Sequence, residues 1–279
     1  MRPSLFVVIL TIALCGCDRH GSDILPPGYS EPMINAFLIR TQYYDYSVDY
    51  SRYVEVFDNH GLRMVPLVTL NRETLAPFYY NPLQYRYGDE KPFPVRAAYN
   101  LNVRHYWGEA FSRVVMPGNF RIELPPEGYV LDLDSSLLTL WQKSAAAQWY
   151  WVELYVEYDF LDSLGRWDDH LFELETLVVD TSLFIPRRRL FPWYVADVIE
   201  GDAAVVVWSG NGPAVEPGDF SNIRGIGYGF FNATNEPREK YFYVGAPPAR
   251  RRVPDAAGLR ARFIDRLRAR LLDTVLTRL

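Results

Sequence analysis

Cysteine is nearly missing from this chain. Two occur in 279 residues, Cys15 and Cys17, both close to the N-terminus. The body therefore has no disulfide framework and no cysteine-based zinc site. Histidine is scarce as well: His20, His60, His105 and His170 are widely separated, and no two stand in a His-x-x-x-His spacing. That pattern calls for no metal and no cofactor. Only three of the 29 basic residues are lysine. Long apolar runs are lacking too. The longest, residues 5–14 (LFVVILTIAL), would make roughly 15 Å of helix, about half a bilayer core.

What is present is aromatic and turn-forming. Aromatics reach 15%, with 20 Tyr and 7 Trp, and 20 Pro and 18 Gly are spread along the chain. With 49% hydrophobic residues there is ample material for a core, and the profile is that of a β-rich exported protein. Charge is uneven. Residues 250–279 carry nine Arg against three Asp, a net +6, while residues 1–249 hold 20 basic against 31 acidic, a net −11. An acidic body argues against nucleic acid as a partner.

The N-terminus has a compartmental reading. Arg2 precedes the apolar segment, whose length suits a signal peptide. Leu14-Cys15-Gly16-Cys17 then resembles the bacterial lipobox, an aliphatic residue and two small ones before a cysteine. The resemblance implies cleavage after residue 16 and lipidation of Cys17. Two or more acyl chains anchor stably, since each buried CH₂ contributes about 0.8 kcal/mol. The expected location is the bacterial envelope, at the outer membrane or the periplasmic face of the inner one. Asp18 resembles an inner-membrane retention signal in enteric-type sorting, a code that other bacteria do not follow.

Organisation follows from pattern. Residues 1–16 read as signal peptide and 17–32 as a lipidated, Pro/Gly-bearing tether. Residues 33–124 read as a first β-sandwich, and 125–246 as a second or a continuation of the first. The expected fold is mainly β, one or two antiparallel sandwiches. Residues 51–70 read as a hairpin turning at Asp58-Asn59-His60-Gly61. In "AAYNLNVRHYW", Tyr99, Leu101 and Val103 share one face. In "AQWYWVELYVEYDF", Tyr150, Val152, Leu154, Val156 and Tyr158 should face the core, with "HLFELETLVV" as partner strand. "YVADVIEGDAAVVVWSGNG" reads as a strand pair with a Gly-Asp turn.

The C-terminus differs. Residues 247–258 read as a linker and 259–279 as an amphipathic α-helix. Leu259, Phe263, Leu267, Leu271 and Val275 recur every four residues, with Arg262, Arg266 and Arg270 on another face. Such a helix packs on its own sandwich, or it meets a protein partner or lipid headgroups through those arginines.

"VEVFDNHG", "YNLNV", "VVMPGNFRI", "LLTLWQKSAAAQWYWVELY" and "SNIRGIGYGFF" occur in an order that resembles envelope lipoproteins with an immunoglobulin-like N-terminal half, often associated with outer-membrane transport systems. The likeness spans most of residues 33–232. It implies an immunoglobulin-like sandwich with an accessory or binding role at a membrane. That family has no established catalytic residues, so none is carried over.

Candidate chemistry is thin, and the chain reads as non-enzymatic. Asp168, Asp169 and His170 could bind a cation or form an acid/base set, though an Asp-rich hairpin turn is far the commoner reading. Asp132 and Asp134 read as sharing a strand face, and such a pair could serve glycoside hydrolysis. Ser209 lacks a G-x-S-x-G elbow. Gly225, Gly227 and Gly229 lack phosphate-loop spacing, and alternate glycines instead let another backbone approach. The tyrosines are the better lead. Tyr79, Tyr80, Tyr85 and Tyr87 read as loop-borne, either as rings that shield the ends of a sandwich core, the commoner case, or as a patch for glycan or protein, because tyrosine gives stiff, amphipathic contact area.

Overall fold

The computed structural model describes residues 31–43, 46–58, 61–213 and 221–245. Cys17, most of the tether, His60, the linker and the 259–279 segment with Arg262, Arg266 and Arg270 lie outside them. The described chain is mainly β: 18 strands in three sheets, with a single four-residue helical turn.

The first half runs β1 (Met33–Gln42), β2 (Val48–Phe57), β3 (Leu67–Leu70), β4 (Glu73–Thr74), β5 (Pro77–Asn81), β6 (Gln84–Asp89), β7 (Ala98–His105), β8 (Gly108–Val115) and β9 (Ile122–Leu124). The second runs β10 (Val130–Leu131), β11 (Leu137–Trp141), β12 (Trp149–Asp162), β13 (Trp167–Val178), β14 (Ser182–Ile185), α1 (Arg187–Leu190), β15 (Val195–Asn211), β16 (Arg224–Gly225), β17 (Tyr228–Glu236) and β18 (Lys240–Gly245).

A ten-stranded sheet is the spine of the molecule. Across it the strands lie in the order β13-β12-β15-β17-β1-β2-β6-β5, with β18 and then β10 joining β15 beside β17. Its junction is the short pairing of Ser209, Gly210 and Asn211 with Asn235, Thr234 and Ala233. β1 and β17 pair in parallel over nine residues, so the strand that opens the fold is held by one from near its end.

Two cores lie on one face of this sheet. The first is roofed by the five-stranded sheet β16-β8-β7-β3-β4 and includes Ile34, Ala36, Val54, Val56, Val68, Leu101 and Val103. It also takes Ile223, Phe231 and Ala233, so core membership does not follow sequence order. The second is roofed by β14-β11-β9 and α1, and includes Val152, Leu154, Val156, Val205, Val207, Trp141 and Phe191. The alternation read in β7 and the inward set of β12 are both as expected. β13 partners β12 from Tyr150↔Val178 to Leu161↔Trp167.

Four local expectations are corrected. Residues 51–70 do not form a hairpin: β2 pairs with β1 and β6, whereas β3 pairs with β7 and β4 in the opposite sheet. Val54 and Val56 thus meet Val68 and Leu70 across the first core rather than along a ladder. The tyrosine-rich segment is not a loop but the β5–β6 hairpin, with Tyr80 opposite Tyr85 and Asn81 opposite Gln84. Gly201-Asp202 is no turn, since β15 runs unbroken for 17 residues. Gly201 there presses against β12, where a Cβ would stand 2.4 Å from the Glu157 carbonyl oxygen. Asp132 and Asp134 are not on a strand either; β10 ends at Leu131, and the Ser135 amide closes a turn onto the Asp132 carbonyl at 2.9 Å.

Candidate binding face

The far face of the spine carries the feature that sequence order hides. Tyr150 and Val152 point into the second core, so Trp149, Trp151 and Glu153 point away from it. A side chain pointing away from a core is expected to meet water. These three are buried instead, and with Phe37, Val206 and Trp208 the apolar ones form a third cluster.

Cross-strand register sorts that cluster into two aromatic groups. Leu177 stands opposite Trp151, and Trp151 opposite Trp208. Farther along, Phe230 lies 6.1 Å from Phe37, Phe37 6.3 Å from Tyr53, and Tyr53 6.2 Å from Phe78, centroid to centroid. Cross-strand aromatic contacts of this kind contribute roughly 0.2–1 kcal/mol each beyond alanine pairs. The second group reaches β5, the edge of the spine, where Phe78 is 62% and Tyr80 72% exposed.

At the β1–β2 end of this face is a cavity of about 420 Å³. Phe37, Ile39, Tyr50 and Tyr53 give it apolar walls, and Asp49, Ser51, Thr41 and Glu90 supply polar groups. Apolar walls with a few convergent polar groups are the usual make-up of a small-ligand site.

The four tyrosines singled out from sequence do not form one patch. Tyr87 is 1% exposed, belongs to the first core and donates its hydroxyl to the Pro66 carbonyl at 2.5 Å. Tyr85 is half-buried and links Tyr87 to Tyr80 in a stacked ladder, with centroids 6.4 and 5.8 Å apart. Tyr79 is next to Tyr80 on β5 and so faces the other way, beneath the Arg86 guanidinium at 5.0 Å. Burial pushes the Tyr87 phenol well above its ordinary range. Phe78, Tyr53 and Phe37, which sequence reasoning passed over, make the continuous surface. The signal was the odd-numbered aromatics of β12, Trp149, Trp151 and Tyr155, which alternate with its inward set.

The other candidates are dispersed. Asp134 is exposed on its turn, 3.5 Å from Arg187 Nε. Asp168 and Asp169 sit exposed at the start of β13, while His170 turns toward Tyr158 at 5.3 Å, and burial lowers its imidazole pKa. Among the described residues no group of three His, Cys, Asp or Glu side chains is placed to hold a metal. Ser209 is buried and donates to the Asn235 carbonyl at 3.1 Å. Gly225 and Gly229 do bring backbones together: a Cβ would lie 2.4 Å from the Glu109 oxygen and 2.1 Å from the Ile34 oxygen, respectively.

No protein-family model matches the chain, and no curated protein matches it either. Among solved structures, the fibronectin(III)-like modules of CbhA from Clostridium thermocellum are similar at a TM-score of 0.29 and 9% identity, covering 79% of this chain and 97% of that one. The architecture here rests on its own strand pairing and cores.

Proposed function

We propose that this chain is a lipid-anchored, non-enzymatic protein of a bacterial envelope, acting as a binding or accessory subunit of a membrane-associated complex. The lipobox-like Leu14-Cys15-Gly16-Cys17 supports the anchor, and the likeness to immunoglobulin-like envelope lipoproteins supports the role. The observation that carries the binding function is the β5 edge. Among the described residues it ends the spine, with exposed Phe78 and Tyr80, and a strand edge with aromatic side chains suits a protein partner that adds a strand.

Two measurements test it. Cys17→Ala should move the protein from the membrane fraction to the soluble one, and an unmodified thiol at Cys17 in the membrane-derived protein would sink the anchor. Capture from detergent-solubilised envelopes should recover a partner with wild type and lose it with Phe78→Ala/Tyr80→Ala. Equal recovery by both, or none by wild type, would sink the binding role.

A second reading, carbohydrate binding, is favoured by the aromatic-walled cavity. Calorimetric glycan binding that is lost on Glu90→Gln would establish it.

A further inference from the structure

We propose that the cavity at the β1–β2 end of the far face binds a small organic cation, a protonated amine carried on a ring. This deepens the second reading above, since it rests on that cavity and names its ligand class. It does not require the ring to be a sugar, and it is independent of the lipid anchor and of the β5 edge.

Register lays out the floor of the cavity. Phe37 stands opposite Tyr53, Ile39 opposite Ser51 and Thr41 opposite Asp49. Each pair is two residues beyond the last, so the floor runs from an aromatic end to a carboxylate end over roughly 13 Å. Glu90 follows directly on Asp89, the partner of Arg52, which carries it to the Ser51 side of the same floor. Tyr43 adds a further ring to the walls. At about 420 Å³ the cavity is near the small end of ligand pockets, which run from roughly 300 to 1,000 Å³.

Charge points to the kind of ligand. The lining holds two carboxylates, Asp49 and Glu90, and no basic residue. Among the described residues neither carboxylate has an ion pair or a side-chain hydrogen bond. The cations nearest in sequence are engaged elsewhere: Arg40 donates to Asn235, Arg52 to Asp89 and Glu73, and Lys91 to Glu73. A cleft lined by charge of one sign focuses its field and concentrates ions of the other. Thr41 is only 8% exposed yet lines the floor, and its hydroxyl has no hydrogen bond among the described residues. It is an acceptor for an ammonium N–H. The rings of Phe37, Tyr43 and Tyr53 add attraction for a cation and a surface on which a ligand ring can stack. An anion would be repelled by both carboxylates. A metal ion would lack ligands, since no group of three His, Cys, Asp or Glu is assembled among the described residues.

The test is calorimetry on full-length protein with two ring-borne amines, tyramine and glucosamine, and their uncharged counterparts, 4-ethylphenol and N-acetylglucosamine. At least one amine should bind, and its counterpart should bind at least about tenfold more weakly. Asp49→Asn/Glu90→Gln should weaken the amine about tenfold, whereas Asp168→Asn/Asp169→Asn, a carboxylate pair on β13, should leave it unchanged. Binding of tyramine alone assigns an aryl amine and ends the carbohydrate reading; binding of glucosamine alone assigns an amino sugar. N-acetylglucosamine bound as tightly as glucosamine would overturn the cation and leave the carbohydrate reading standing. Amine binding that survives Asp49→Asn/Glu90→Gln, or that falls equally in the β13 variant, would overturn it too. So would the absence of binding by either amine up to roughly 10 mM. The uncharged counterparts are compared on wild-type protein, so the need for charge is read even if a variant misfolds.

Discussion

Arg52 on β2 and Glu73 on β4 meet at 2.6 Å across the rim of the first core, although they belong to different sheets. Arg52 also donates to Asp89 on β6, and Lys91 donates to Glu73. One buried guanidinium thus clasps the spine to the sheet that roofs it. Breaking this clasp from one side is destabilising, since Asp89 and Glu73 lose a counter-charge, though both carboxylates stay partly exposed to water.

Arg52→Ala should lower unfolding stability in denaturant titration, by less than the loss of a fully buried pair, because Glu73 and Asp89 keep part of their solvation. The clasp also sets an acid limit. Hydrogen bonds from Arg52 and then Lys91 hold the Glu73 carboxyl at about 2, and Arg52 holds Asp89 below its ordinary range. Both are depressed by folding. Their stabilisation is therefore complete above the unfolded carboxylate pKa of about 4 and lost as pH falls toward 2. Arg52→Met should flatten the stability profile in that window.

His105 imposes a second pH dependence. It is buried, and its Nε2 donates to the Ile226 carbonyl at 2.7 Å, bridging β7 to the segment before β17. Burial lowers its pKa, outweighing that hydrogen bond and the more distant Asp58 and Glu31. The unfolded chain then binds the proton more readily, so stability declines as pH drops below about 6.5. His105→Gln should cost about 1–2 kcal/mol at neutral pH and lessen the decline between pH 6.5 and 5, leaving the share of His170, whose pKa burial also lowers.

Gly229 and Gly128 both have positive φ, yet they should respond differently to alanine. At Gly229, with φ +122°, a Cβ would stand 2.1 Å from the Ile34 oxygen in the parallel β1–β17 ladder. Gly128, with φ +74°, has nothing within 4 Å of that position. Gly229→Ala should cost about 3 kcal/mol or more, and Gly128→Ala about 1, by thermal or chemical unfolding. Equal costs would mean that backbone strain alone, not close approach, selects glycine at 229.

Two tryptophans separate the far face from the surface. Trp208 is 1% exposed and Trp193 is 89% exposed. Trp208→Ala should destabilise by about 3–5 kcal/mol, and Trp193→Ala by less than about 0.5. A small effect at Trp208 would mean that the third cluster is no core.

How much of this was legible beforehand can be judged strand by strand. Tyr99, Leu101 and Val103, and Tyr150 through Tyr158, announced their buried faces because a strand alternates with a period of two, whatever it pairs with. The β-rich class followed from the same alternation and from Pro and Gly punctuation. The candidate binding face did not show. Phe37, Tyr53, Phe78 and Phe230 are separated by up to 193 positions and come together only through pairing register. Tyr87 looked like its neighbours Tyr79 and Tyr80, but β6 turns it into the core.

The amino-acid order alone determined strand content, the apolar side of each long strand, and the charge and pattern of the C-terminal segment. Those are short-range properties, written within a few residues. Tertiary structure decided that β2 lies beside β6 and not β3, that β15 runs through Gly201, and that both faces of β12 are buried from Trp149 to Leu154. Those outcomes depend on which distant segments lie alongside, a choice made by the total apolar area that packing covers, and period-two alternation says nothing about neighbours.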